Sequence, residues 1–317
     1  MVNIRISTRD IAMTAIFAAL SWIVSEFVPG IPIIGASGSR ISFDVALAPI
    51  YGIIIGPYLG LLAALIGGLV AAGSLFTILT SFCTGISAFV AGMLVTRRAS
   101  NRRVTRGWMF SAIVLALLII GWYSTEVGRQ AVFYPIPHLL GLLIVMAGRG
   151  WIGNKINEER KENVVSPMKG FNPRYIIGGV ISITLSTTCY FTYLDLTKVV
   201  EGLSVLGILS FLAYSLLIIG IFSIVYGFFS WIRPGFVTAV AMACYCGIIA
   251  DHMLGNLIFL GMIDVVAPGL KDVPSIFMAV LPISVVERSL FTAIAVTIAV
   301  ALLSVLRRSG IFYRKTQ

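Results

Sequence analysis

Apolar stretches recur along the whole of this chain, and they constrain its fold more than any other feature. A helix that spans a bilayer needs about twenty mostly apolar residues. Clear candidates are residues 8–28, 75–95, 108–123, 131–147, 175–193, 204–231, 235–262 and 275–306. The hydrophobic fraction is 58%, the charged fraction is 11% and the mean hydropathy is +1.00, so too few polar groups remain to cover a water-soluble surface. The sequence predicts an all-α transmembrane helical bundle in the cell membrane, surrounded by membrane lipid and organised as one membrane domain over residues 1–317.

The segment 41–72 is ambiguous, because it is long enough for one long helix or for two short helices. Gly56 and Pro57 lie in its middle, and proline lacks an amide proton and disfavours helix in the residue before it. With a break at this pair, the arginine cluster at 97–106 falls on the same side of the membrane as the basic N-terminus. Since cytoplasmic loops carry an excess of Lys and Arg, we expect about ten crossings, with the N- and C-termini in the cytoplasm.

The formal net charge of +10 does not indicate a nucleic-acid partner. The basic residues lie in short loops between apolar spans, and the sequence has no basic face with interleaved aromatic residues outside the membrane. The cysteines, Cys83, Cys189, Cys244 and Cys246, lie inside apolar spans without the spacing of metal ligands. Packing inside the bundle is their default role. We therefore expect no nucleic acid, no cofactor and no metal.

Two acidic residues, Asp251 and Glu287, lie within apolar spans, where an unpaired charge is costly. With His252 and Asn256, Asp251 belongs to the densest polar patch in any span. This patch is either part of a binding site or an internal hydrogen-bond network. Glu287 and Arg288 lie near the middle of the last span. Pairing with other helices is the favoured role for these two residues, and a proton or substrate pathway is the alternative.

Small residues at Ala12, Ala15 and Ala19, here called the alanine stripe, lie along one face of the first helix. In lipid, association of helices depends on close packing, and small residues allow another helix to approach. On spacing alone, the favoured neighbour of the stripe is another helix of the same chain.

The segment after the first helix adds motifs of a known family. They are a loop rich in Pro and Gly at 29–39, then Arg40-Ile-Ser-Phe-Asp44, Ala48-Pro49-Ile-Tyr-Gly52 and Gly56-Pro57. Together with the Ala-x-x-x-Ala spacing of the stripe, they resemble the substrate-binding S component of an energy-coupling factor (ECF) transporter, the vitamin-uptake class. The resemblance covers residues 8–98. It resumes over 235–308, where an Asp-bearing helix precedes a Leu-Pro pair and a long final helix that ends in arginines.

The resemblance implies a mechanism of uptake. An S component binds a vitamin-like solute from the outer side and hands it through with a membrane coupling subunit and cytoplasmic ATPases. This chain would be an S component enlarged by about four extra helices, within residues 108–231. The alanine stripe would dock the coupling subunit. Since the chain has no Gly-x-x-x-x-Gly-Lys-Ser/Thr loop, we expect a transport component without its own ATPase motif, and not an enzyme.

The resemblance also places the candidate solute-binding residues in the outer half of the family-like segments. Trp22 and Glu26 are four residues apart and share a helix face. Arg40 and Asp44 flank the second helix and either hold polar groups of the solute or pair with each other. With the patch in the later span, the predicted set is Trp22, Glu26, Arg40, Asp44, Asp251, His252 and Asn256.

Other functions are compatible with the sequence. His138 and His252 could ligate a haem in a subunit of a membrane complex, although a Cys-x-x-Cys-His motif is absent. An intramembrane lipid-modifying enzyme could use Glu126, Arg129 and His138, although neither His-Glu-x-x-His nor Gly-x-Ser-x-Gly occurs. A non-catalytic structural subunit of a larger membrane complex is the remaining alternative.

Overall fold

The structure is a computed structural model, and it describes residues 7–32, 40–96, 107–161, 173–197 and 234–308, with single positions between 213 and 227. Its helices are α1 (Thr8–Phe27), α2 (Asp44–Ile55), α3 (Pro57–Ala71), α4 (Leu75–Val95), α5 (Gly107–Ser124), α6 (Glu126–Gln130), α7 (Ile136–Lys161), α8 (Pro173–Thr197), α9 (Pro234–Gly261), α10 (Ile263–Val266) and α11 (Val273–Arg308). A short antiparallel pair, β1 (Ile31–Pro32) and β2 (Arg40–Ile41), lies in the connection between α1 and α2.

Seven of the described helices are long and apolar enough to cross a membrane, namely α1, α4, α5, α7, α8, α9 and α11. The helices α2 and α3 are also apolar but shorter. These helices confirm the predicted all-α transmembrane bundle and its place in the membrane. Most of the predicted span at 204–231 lies outside the described residues. About ten crossings and cytoplasmic termini therefore stay predictions.

The break expected at Gly56 and Pro57 is confirmed. Gly56 lies between α2 and α3 with a φ of 94°, which glycine adopts without the steric cost that a Cβ would add. Pro57 is the first residue of α3, where its missing amide proton is not needed. A Cβ built on Gly60 would lie 2.6 Å from the Cα of Gly52, so α3 folds back along α2. The segment is therefore a hairpin of two short helices.

Close backbone contacts fix how this hairpin meets α4. A Cβ built on Gly92 of α4 would lie 2.7 Å from the Cα of Pro57, and a Cβ on Gly52 would overlap the carbonyl of Ala88. Glycine at these crossing points lets the three helices approach to backbone distance, as small residues do in membrane bundles. The helix α9 packs against α4, α7 and α11 and is the most buried of the candidate spans. The centre of the molecule is therefore built from both ends of the chain.

The helix α1 packs on α3 with the face opposite the alanine stripe. Phe17 stacks on Tyr51 of α2 at 4.7 Å between ring centroids, and Ser21 lies against Gly67 of α3. By contrast, the side chains of the alanine stripe are exposed, and in the described part of the chain no other helix covers them. The interpretation of the stripe as a contact within the same chain is therefore not supported by the described helices.

The predicted extra segment at 108–231 is divided between two environments. The helices α5 and α7 pack against α4 and α9 and contribute Trp122, Ile152 and Ile156 to the buried core. The helix α8 is largely exposed and packs on the described positions near 220, where Ser182 donates a hydrogen bond to the carbonyl of Leu216 at 2.6 Å. The boundaries of the S-component-like and extra segments stay predictions.

Candidate functional site

A cavity of about 400 Å³ lies at one end of the bundle, where α1, α3 and α9 end and where α2, α4 and α11 begin. Its charged and hydrogen-bonding lining includes Glu26, Arg40, Asp44, Tyr134, Asp251, His252, Asn256, Glu287 and Arg288. Six of the seven predicted solute-binding residues therefore line one space, although they are as far apart in sequence as Glu26 and Asn256. A volume of this size is in the range of small-molecule sites.

Trp22 is the predicted residue that the structure does not bring to this cavity. Its side chain is 38% exposed and contacts the ring of Phe27 edge to face, at 6.1 Å between centroids. Trp22 and Glu26 share a helix face by spacing, but only the later residue reaches the cavity end of α1.

The lining residues come mainly from the two segments for which the sequence predicts a resemblance to S components. Every described lining residue except Tyr134 belongs to 8–98 or 235–308. Tyr134 lies in the turn between α6 and α7 and is fully enclosed. Tyr134 is therefore the described cavity residue that comes from the predicted extra segment, while α5 and α7 pack against α4 and α9.

Asp44 is held at the first turn of α2 by residues of α1 and of the preceding turn. Ser21 donates a hydrogen bond to Asp44 Oδ2 at 3.3 Å, and the Asp44 amide donates to Ser42 Oγ at 3.4 Å. The side chain is 5% exposed. In the described residues, no ion pair joins Asp44 to Arg40, whose side chain is exposed at the mouth of the cavity. Hydroxyl groups, which carry no charge, thus fix the Asp44 carboxyl.

An ion cluster joins α9 to α11 at the floor of the cavity. Arg288 Nη1 lies 3.7 Å from Asp251 Oδ2, and Arg288 Nη2 lies 3.9 Å from Glu287 Oε2. Both distances are too long for hydrogen bonds, so the attraction is electrostatic. The guanidinium also lies over the ring of Phe291 at 5.7 Å. Among the described residues, Asp251 Oδ1, Glu287 Oε1 and two nitrogens of Arg288 are buried without a hydrogen-bond partner.

A second polar group lies beside this floor. Asn256 donates a hydrogen bond to the Tyr134 hydroxyl at 3.0 Å, and the same hydroxyl lies 3.3 Å from His252 Nε2. Burial raises the pKa of Tyr134 to about 12, so the phenol remains protonated at neutral pH. Tyr134 thereby fixes the orientation of two predicted binding residues. Tyr134 is not among the residues predicted from the sequence, because an aromatic residue in a short turn between Phe133 and Pro135 gives no periodic signal.

The histidines do not form the arrangement that the haem alternative needs. The rings of His138 and His252 are stacked, with centroids 5.2 Å apart and an interplanar angle of 22°. An iron ligand binds through the lone pair in the plane of the imidazole ring, and stacked rings do not direct these lone pairs towards a common ion.

The residues proposed for a lipid-modifying enzyme are not brought together either. The side chains of Glu126 and Arg129 are exposed on α6, whereas His138 is fully buried. None of the three lines the cavity. A shared reactive centre would require hydrogen-bond reach between these groups.

Comparison with known proteins bears on the first part of the chain. Residues 5–137 match the family described as ECF-type riboflavin transporter, S component. This match confirms the resemblance to S components, and it continues through α5 and α6 to the beginning of α7.

One relative is an uncharacterised protein of Methanocaldococcus jannaschii, which is 29% identical over 113 residues. The aligned part covers 36% of this chain and 37% of that protein. No solved structure matches the chain.

Proposed function

We propose that this chain is a membrane uptake protein that binds a small vitamin-like solute from the outer side. It hands the solute through with a membrane coupling subunit and a separate ATPase module. The observation that carries the proposal is the cavity, because residues from the two S-component-like segments converge on one space of suitable size. The name of the matched family makes riboflavin the first solute to test.

The charge distribution supports an outward orientation of the cavity. The basic N-terminal residues precede α1, and the arginine cluster at 97–106 follows the end of α4. The cavity lies at the other end of both helices. Because basic loops favour the cytoplasmic side, the cavity faces outward in this proposal, where a solute is captured.

The exposed alanine stripe supports docking of a partner. Ala12, Ala15 and Ala19 present a shallow surface along α1, while the opposite face of this helix packs on the bundle. A partner helix can approach such a surface closely, and van der Waals packing over its length gives specificity in lipid.

Solute binding tests the cavity. Small molecules that copurify with the protein are identified by mass spectrometry, and riboflavin is titrated directly by equilibrium dialysis. With the solute so identified, we expect Asp251→Ala to weaken binding by about 1–3 kcal/mol, the scale of a lost charged hydrogen bond. A melting curve accompanies each titration. A mutant with a lower melting temperature and an unchanged solute affinity in its folded state would show that Asp251 has a structural role and does not bind the solute.

Docking is tested separately by purifying the chain together with a coupling subunit and ATPases of an ECF system. We expect Ala15→Trp to reduce recovery of the complex while solute binding stays unchanged, since the large ring blocks helix approach. Ala301→Trp, at an exposed position of α11, is the matched control. Loss of solute binding with an intact complex would contradict this assignment of the stripe.

A further inference from the structure

We propose that the solute carries a positive charge and that the floor of the cavity selects for it. The inference rests on the proposed function only in that it concerns the same cavity. Among the described residues, the charged members of the lining are the acids Glu26, Asp44, Asp251 and Glu287 and the bases Arg40 and Arg288. Carboxyl groups therefore outnumber guanidinium groups two to one.

The excess of carboxyl groups is concentrated at the floor. Glu26 and Arg40 are exposed at the mouth, where one charge offsets the other. Below them, Asp44, Asp251 and Arg288 are each 5% exposed, and the Glu287 side chain is 11% exposed. Among the described residues, the buried part of the cavity thus holds three carboxyl groups and one guanidinium, which lies near two of them.

The contacts at the floor leave these carboxyl groups incompletely compensated. Arg288 lies 3.7 Å from Asp251 and 3.9 Å from Glu287, and it makes a hydrogen bond to neither. The second oxygen of each of these carboxyls is buried without a partner among the described residues. The hydroxyl bonded to Asp44 brings no positive charge. Because one buried guanidinium cannot neutralise three buried carboxylates, a cation at this floor would be favoured.

The walls of the cavity suit an aromatic cation. Phe76, Phe259 and Phe277 line it together with the ring of Tyr134. Aromatic faces attract ammonium and other cationic groups, and the attraction increases when water is excluded. A solute with a carboxylate or phosphate would instead meet the repulsion of three carboxyl groups. The chemical class is therefore a heteroaromatic solute with a cationic ring or an amine.

Three compounds with the same ring provide the test. 1-Methylnicotinamide is a permanent cation, nicotinamide is neutral and nicotinate is an anion. The melting temperature of the purified protein is measured with each compound at the same millimolar concentration. Because a ligand that binds the folded state raises this temperature, we expect the cation to give the largest increase and the anion to give none. An equal or larger increase with the neutral compound or the anion, or no increase with any of them, would overturn the proposal.

Two variants connect the preference to the floor. Glu287→Gln and Asp251→Asn each remove one negative charge and preserve shape, and we expect either change to weaken cation binding about tenfold. Asp264→Asn, at an exposed position of α10 outside the cavity, is the control and should bind like the original protein. If both floor variants fold and keep the full cation affinity, the proposed site is wrong.

These outcomes are distinct from those that test uptake. A protein that assembles with the coupling subunit and takes up neutral riboflavin, without preference for the cation, would retain the proposed function and refute the charge inference. A protein that selects the cation but forms no complex with the ATPase module would retain the charge inference and refute the proposed function.

Discussion

The helices α8 and α9 are of similar length and both carry polar side chains through apolar sequence, but they satisfy those side chains differently. In α8, Thr184 and Thr188 each donate a hydrogen bond to the carbonyl four residues earlier, at 2.9 and 3.0 Å. In α9, Asp251 Oδ1 and His252 Nδ1 are buried without a partner among the described residues.

The difference follows from the chemistry of the groups. A threonine hydroxyl can donate to its own helix, so it needs no other element and can lie at an exposed surface in lipid. A carboxylate accepts hydrogen bonds only, and all carbonyls of the helix beside it are acceptors too. Asp251 therefore depends on another helix or on a solute, and α9 is buried where α8 is exposed. A polar side chain inside a span indicates function when the backbone of its own helix cannot provide its hydrogen-bond partner.

The largest expected effect is a loss of stability when a Cβ is added in the packed core, and the same change in α8 should not cause it. A Cβ on Gly92 would lie 2.7 Å from the Cα of Pro57, whereas a Cβ on Gly178 of α8 would have the Ser223 hydroxyl as its nearest described neighbour, at 4.0 Å. We expect Gly92→Ala to destabilise the protein by about 1–3 kcal/mol through overpacking. Gly178→Ala is the matched control and should not destabilise it, since alanine favours helix more than glycine does. Melting curves in detergent measure both, and equal melting temperatures would contradict the crossing at Gly92.

A smaller effect is expected at Tyr134, the described lining residue that lies outside 8–98 and 235–308. Tyr134→Phe removes the hydroxyl that accepts the hydrogen bond from Asn256, but it preserves the stack on Trp122, with centroids 4.7 Å apart. We expect solute affinity to fall by about 1 kcal/mol with little change in melting temperature. Tyr123→Phe, which loses a hydroxyl bonded to the Val132 carbonyl outside the cavity, is the control. A lower melting temperature with unchanged solute affinity would show that Tyr134 has a purely structural role.

The smallest effect is expected in α8. Thr188→Val removes a hydroxyl that bonds only within its own helix in the described structure, so stability should change by less than about 0.5 kcal/mol and solute affinity should not change. Equilibrium dialysis and a melting curve check both expectations. A loss of solute affinity in Thr188→Val would indicate that α8 contributes to the cavity, and it would contradict the contrast with α9.

Several features of this molecule could be predicted because they depend on local chemistry. The apolar spans follow from composition, and the break at Gly56 and Pro57 follows from backbone restrictions that act at those two positions. The polar patch at Asp251 could be recognised because charge inside a span is rare. The resemblance to S components, confirmed over 5–137, also came from local motifs.

The tertiary structure decided which of these residues meet. Trp22 and Glu26 share a face, but the packing of α1 on α3 leaves Trp22 outside the cavity. Arg288 pairs with Asp251 across two helices, and Tyr134 reaches the site from a turn that no periodicity marks. Spacing along one helix fixes which side chains share a face, because the helical period is constant. The spacing does not fix which face another helix covers, since that depends on packing among residues far apart in the sequence. This packing determined where the cavity lies, which carboxyl groups line it and that the alanine stripe is exposed.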